Sequence, residues 1–189
     1  MDLFNKVEKF VKDSFRDAGK SHQIKHFERT VYWVKRLAPG ADEALMISAM
    51  AHDIERTCRI KEQHKKKIEF GLTHKDFLRP HEEKGAEIIA DFLKKEGADQ
   101  TLIDRVKMLV SRHEKGGNKD QNLLKDADSI SFFENNIPYF LSLEKIADVG
   151  GKERTKAKID WMYDRITSEG ARKIAKPWYE KAIIDLAKV

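Results

Sequence analysis

The chain has 189 residues, 40% hydrophobic and 37% charged, which is enough to bury a core in one domain spanning 1–189 with heavily charged outer faces. Its single cysteine, Cys58, excludes an internal disulfide framework and a cysteine-based zinc site. The net charge of +5 is a mild excess of 37 basic over 32 acidic residues, better read as solvated helix faces than as a nucleic-acid-binding surface.

Amphipathic helices follow one another along the chain. Residues 2–17 carry Leu3, Val7, Phe10, Val11 and Phe15 at helical spacing, and residues 22–37 carry Ile24, Phe27, Val31 and Val34. Pro39-Gly40 breaks the chain. Residues 42–55 read as a mostly apolar, central helix. Its apolar run, Ala44 to Ala51, is the longest present and falls far short of the about 20 residues that cross a bilayer. The N-terminus mixes charges with apolar positions and shows neither an apolar h-region nor a small-residue cleavage site, so the expectation is a cytoplasmic protein without membrane association.

Residues 57–80 show little periodicity, are rich in Lys and contain Gly71 and Pro80; they read as a long connection with at most a short helix. Its basic stretch, Lys61 to Lys67, reads either as a solvated loop or as a cover that attracts a polyanion. Helical patterns resume over 81–96, with Gly97 as C-cap, and over 100–113, followed by the turn Gly116-Gly117-Asn118. Further helices are expected over 122–133, 137–148, 153–167 and 170–187, in which Trp161, Tyr163, Trp178 and Tyr179 read as core or interface packing. No alternating strand pattern is present, and the fold class is all-α, a helical bundle in a single domain.

Four histidines border apolar stripes near helix ends: His26, His52, His81 and His113. Taken singly, an inward histidine is usually a hydrogen-bonded structural residue. Together with Asp53 on the most apolar helix they are harder to dismiss, because a buried carboxylate is costly unless a charge compensates it. A divalent cation serves several such groups at once, and imidazole with carboxylate suits Mn, Fe, Zn or Co. Adjacent helical residues point about 100° apart, so His52 and Asp53 can share a metal only at the edge of their helix.

The order His26, then His52-Asp53, then Asp128 resembles the H…HD…D signature of the HD-domain superfamily. HQIKHFERTVYWVKRLA looks like its first helix, ALMISAMAHDIER like the helix that names it, and LLKDADSISFFE like the last ligand helix. The resemblance covers about residues 20–135 and leaves the C-terminal helices, about 136–189, outside it. It implies a metal-dependent phosphohydrolase with one or two divalent ions (Mn, Fe, Co, Ni, Zn or Mg) acting on a phosphoester or phosphoanhydride. His26, His52, Asp53 and Asp128 match the metal ligands, with Asp126 a competitor for the last place. His81 and His113 resemble the extra histidines of two-metal subfamilies, in which the HD aspartate bridges both ions; in a one-metal site they would contact phosphate instead. His22, His64 and His74 have no such match.

In that reading Asp53 and His52 are the catalytic residues, Asp53 ligating and orienting a water, while Arg29 and Arg56, each one turn from a ligand, are substrate-binding candidates and Arg112 a third. Some subfamilies are disfavoured. No Gly-Tyr-Pro follows the site histidines, and Arg56 stands where (p)ppGpp hydrolases and HD-type deoxynucleoside monophosphatases carry an acidic residue; Glu55, one residue away, is expected to face elsewhere. The ligand spacing and chain length are similar to small two-metal HD enzymes that cleave dinucleoside polyphosphates. The expected partner is a phosphorylated small molecule, of the nucleotide class, and the reading leaves room for a homodimer. A non-catalytic nucleotide-binding or signalling module on the same fold is the alternative.

Overall fold

The computed structural model describes residues 2–58 and 61–189, the side chains at 61–64 and 68 excepted. Helix α1, Leu3–Asp17, starts at Asp2, whose carboxylate accepts from the Asn5 N–H, and buries Val7, Val11 and Phe15 at successive turns. A 3-10 turn, Ser21–Gln23, leads into α2, Ile24–Leu37, which buries His26 and Phe27 near its start.

Helix α3, Glu43–Ala51, buries every residue except Glu43 and Met46, as the central position expected for it requires. It ends earlier than the apolar pattern suggests. His52 keeps helical dihedrals, but Asp53 moves to φ −103°, ψ 13°, and a 3-10 turn, Ile54–Thr57, follows. This tightening places His52 and Asp53 at a helix end rather than on a continuing helix.

The 57–80 stretch departs from the expected loop. It holds α4, Lys61–Phe70, and the opening of α5, Lys75–Lys95. Pro80 lies inside α5 and cannot donate to the carbonyl of Asp76, but Asp76 is exposed and water can take that carbonyl. The inward stripe of α5 already begins at Phe77 and Leu78 and runs through His81, Gly85 and Ile89 to Leu93, so tertiary packing overrides the local breaker. Gly97 ends the helix at φ +76°, donating to Lys94, while Ala98 reaches back to Leu93.

Helix α6, Gln100–Val110, is capped by Asp99, and a run of turns carries the chain past His113. Helix α7, Lys119–Ser131, opens with a capping box between Asn118 and Gln121 and continues through a π-helical turn, Phe132–Asn136, to α8, Ile137–Phe140. The helix expected over 137–148 is divided at Ser142, which caps α9, Leu143–Val149. Helices α10, Lys152–Asp164, and α11, Glu169–Lys188, complete the chain.

All regular structure among the described residues is helical, as the all-α reading expects. Phe27, Ile47, Met50, Ile54, Ile89, Leu109, Leu124 and Ile130 are fully buried, and one hydrophobic cluster extends from Val7 to Leu186. The C-terminal aromatics pack as expected: Tyr163 stacks on Tyr179 with centroids 4.3 Å apart, and Trp178 meets Trp33 edge-on at 6.2 Å. No helix among the described residues is long and apolar enough to cross a membrane.

Candidate metal centre

The ends of α2, α3 and α7, an early turn of α5 and the turn after α6 meet around Asp53. His26, His52, Asp53, His81, His113 and Asp128 are all buried there. His26, His52 and Asp53 each offer an atom within 4.8 Å of the others, and so do Asp53, His81 and His113, so each group can hold a metal ion and Asp53 belongs to both. The two carboxylate oxygens divide the task. Asp53 Oδ1 lies 2.9 Å from His81 Nε2 and 3.8 Å from His113 Nε2, while Oδ2 lies 3.5 Å from His52 Nε2.

Asp128 joins the first group. Its Oδ1 is 3.1 Å from His26 Nε2 and 3.5 Å from His52 Nε2. Asp126, the competitor, points the other way and accepts the backbone N–H groups of Thr167 at 2.7 Å and Ser168 at 2.8 Å.

Every histidine in the cluster is oriented through Nδ1. His52 Nδ1 donates to the Ala49 carbonyl at 2.9 Å, His113 Nδ1 to Val110 at 2.8 Å, and His81 Nδ1 to Glu55 Oε2 at 2.7 Å. Ser131 Oγ donates to the His26 carbonyl at 2.7 Å, so at His26 Nδ1, 2.9 Å away, it must accept. Each Nε2 is thereby turned toward Asp53 or Asp128, the arrangement by which outer hydrogen bonds orient a histidine to present Nε2 to a metal.

The charges favour a cation. His52 Nε2, His113 Nε2 and Asp53 Oδ2 are buried without a hydrogen-bond partner; Arg56 Nη2 lies 2.9 Å from that oxygen as an ion pair only. Burial opposes ionisation of Asp53, but Arg56 and His52 overcome it and hold its pKa well below the usual range. Asp128 is likewise depressed against burial, chiefly by Arg165 and then by His52. Burial would lower the His52 pKa, yet Asp53 and Asp128 outweigh it and raise it to about 10, so positive charge is drawn to this point. His113, dominated by burial, drops to about 4 and stays neutral at pH 7. Unpartnered imidazole nitrogens and ionised carboxylates around one space fit a divalent transition metal.

The cluster opens on a cavity of about 480 Å³ whose lining includes His26, His81 and Asp128, the cations Lys20, Arg56, Lys67, Lys145 and Lys158, and the rings of Phe132, Tyr139 and Phe140. Of the substrate-binding candidates, Arg56 lines it and Arg29 does not. The Arg29 guanidinium is held by Glu134 through two bonds of 2.8 and 2.7 Å and lies over Tyr32, which corrects the expectation that it faces a ligand. Arg112 bonds the Gly116 carbonyl at 3.2 Å. His22 lines the cavity against Tyr139, and His74 caps α5; the His64 side chain lies outside the described residues. Of the basic stretch, Lys67 reaches the cavity and pairs with Asp148 at 2.5 Å, and the side chains of 61–64 lie outside the described residues.

Four supporting residues were not anticipated. Glu55 is buried and turned toward His81, and Ser131 fixes His26. Glu114 and Arg165 form a buried pair, and the same guanidinium bonds Asp128 and donates to Ser129 at 2.9 Å. Arg165 comes from the chain after α10, beyond the reach of the motif. Glu55 lies two residues past Asp53 and Glu114 adjoins His113, and that nearness is the one signal that could have found them.

Among curated proteins none matches the sequence. A solved structure from an uncultured Thermotogales bacterium, described as a predicted HD superfamily hydrolase, shares the fold with a TM-score of 0.57 and 20% identity, over 97% of this chain and 89% of that one. Residues 7–184 match the family described as a domain of unknown function (DUF4202), and the chain belongs to that family.

Proposed function

We propose that the chain is a metal-dependent phosphohydrolase acting on a phosphoester or phosphoanhydride of a nucleotide-like small molecule, with His26, His52, Asp53 and Asp128 holding one divalent ion and Asp53, His81 and His113 a second. The observation that carries this is the Asp53 carboxylate, one oxygen turned to each imidazole group, at the wall of a cavity rich in cations. Bound divalent ions supply an acidified water and neutralise charge on the phosphorus oxygens.

The chain's own side chains do the rest. Arg56 and Lys20 border the cavity beside the histidines, and Lys67 and Lys145 add positive charge that draws an anionic substrate in. Asp53 is kept ionised by Arg56 and His52, which leaves its lone pairs available to hold a cation. Phe132, Tyr139 and Phe140 offer apolar surface to a planar group such as a nucleobase.

The test is phosphate release from a panel of nucleotides, dinucleoside polyphosphates and phosphate monoesters, using chelated protein reloaded separately with Mn, Co, Ni, Fe, Zn or Mg. Turnover that requires the metal and disappears in Asp53→Ala is the expected result. Nucleotide binding with no turnover under any metal would replace this reading with a non-catalytic binding module.

A further inference from the structure

Lys158 belongs to α10, outside the stretch that resembles the HD motif, and its side chain is only 8% exposed. It lines the same cavity as Arg56, His26 and Asp128. The other lysines there are engaged: Lys67 and Lys145 with Asp148 at 2.5 and 2.6 Å, and Lys20 with the Arg56 carbonyl at 2.5 Å. Among the described residues Lys158 makes neither an ion pair nor a hydrogen bond, and its ammonium rests over the Trp161 ring, 4.0 Å from the centroid. Arg56, which lines the cavity too, has in its Nε a buried donor without a partner. A nearly buried ammonium with no ion pair and an unused guanidinium donor lining the same cavity are what an anion would satisfy.

We propose that Lys158, together with Arg56, forms an anion subsite of this cavity that takes a phosphate group of the ligand. The side chain is still suited to that work at neutral pH. Burial lowers its pKa most and Arg165 and Arg56 add to this, with Glu114 opposing, and the result, about 8, leaves it largely protonated at pH 7. An incoming phosphate brings the direct ion pair that Lys158 lacks and favours its ionised ammonium. The assignment rests on the hydrolase reading for the identity of the ligand, but the subsite itself is defined by the side chains.

Inorganic phosphate titrated calorimetrically into the full chain tests this, once in excess Mn and once in chelator. Wild-type protein is expected to bind phosphate in at least one of the two conditions. Lys158→Met should weaken that binding by about tenfold or more, with Mn content unchanged, and Lys158→Arg should retain most of it. Lys176→Met, on the exposed part of α11, should behave as wild type. Lys158→Gln provides a second variant if the methionine form does not fold. Absence of phosphate binding in both conditions, or equal binding by the folded Lys158 variants, overturns the proposal. Lys158-dependent phosphate binding without turnover of any phosphoester refutes the hydrolase reading alone. Turnover with unchanged KM and phosphate affinity in Lys158→Met refutes the subsite alone.

Discussion

Glu55 Oε2 accepts a hydrogen bond from His81 Nδ1 at 2.7 Å, deep in the protein, and so aims His81 Nε2 at Asp53. Such outer partners of metal-binding histidines typically govern about 10–100-fold in metal affinity or activity. Glu55→Ala is expected to weaken metal binding by that order, and Glu55→Gln by less, since an amide oxygen can still accept. Calorimetric titration with Mn or Co, beside an unchanged helical circular dichroism spectrum, checks it. Equal affinity in wild type and Glu55→Ala would show that the hydrogen bond is only structural.

The shared carboxylate makes a prediction about stoichiometry. Elemental analysis of saturated protein should give two ions per chain, falling toward one in His81→Ala and His113→Ala, because each removes a donor from the group that excludes His26. Asp53→Ala should lower occupancy of both positions. A single ion in wild type, unaffected by His81→Ala, would mean that one group alone holds metal.

Arg165 is the buried partner of two buried carboxylates, Glu114 and Asp128. Arg165→Met removes the cation paired directly with both, leaving Lys158 to act on Glu114 and His52 on Asp128, and should cost about 3–5 kcal/mol of stability by urea unfolding. Metal restores part of this by compensating Asp128, so the penalty should be smaller in saturating Mn than in chelator. A penalty below about 1 kcal/mol would show that water reaches these carboxylates.

A pH dependence follows from Lys158. Its pKa falls from 10.5 to about 8 on folding, chiefly through burial, so between these values the unfolded chain binds the proton that the folded chain releases. Its burial therefore destabilises the protein most below pH 8, and the penalty fades as pH rises toward 10.5. Lys158→Met should gain about 3 kcal/mol relative to wild type at pH 7 and little of that at pH 10.5. Urea unfolding of both proteins at the two values decides the matter; a pH-independent difference counts against the buried ammonium.

Gly85 lets α5 approach the cluster. A Cβ there would stand 3.3 Å from the His52 carbonyl oxygen, which is backbone and cannot swing aside. Gly85→Val should cost about 1–3 kcal/mol through overpacking and reduce metal affinity by displacing His52. Gly85→Ala gains about 1 kcal/mol of helix propensity and should come out near neutral in stability. Thermal unfolding and Mn titration of the two variants separate these effects.

Helix existence, the all-α class and the inward faces of His26, His81 and His113 were legible in the sequence because apolar periodicity records which side of a helix meets the core. The order of histidines and aspartates carried the resemblance to HD proteins, and the residues it marks do converge. Periodicity was silent where packing overrides local preference, as at Pro80 inside α5.

Only the tertiary structure decided how inward faces meet. Two aspartates two residues apart were indistinguishable by facing, and the chain reversal before α11, where Thr167 and Ser168 donate to Asp126, left Asp128 to the histidines. Glu55 was expected to turn away, yet the helix tightens at Asp53 into a 3-10 turn of about 120° per residue, which swings Glu55 onto His81. Arg29 lies one turn from a ligand but is taken by Glu134, 105 residues on. Arg165 and Lys158 reach the site because α10 docks there; the partners of Arg165 lie 36 to 51 positions away, and Lys158 has no ion pair among the described residues. The sequence determined the helices and nominated the ligands, since both are local patterns. Contacts between distant helix ends decided which side chains orient those ligands and which cation was left to meet an anion, since no spacing along the chain encodes the angle at which two helices pack.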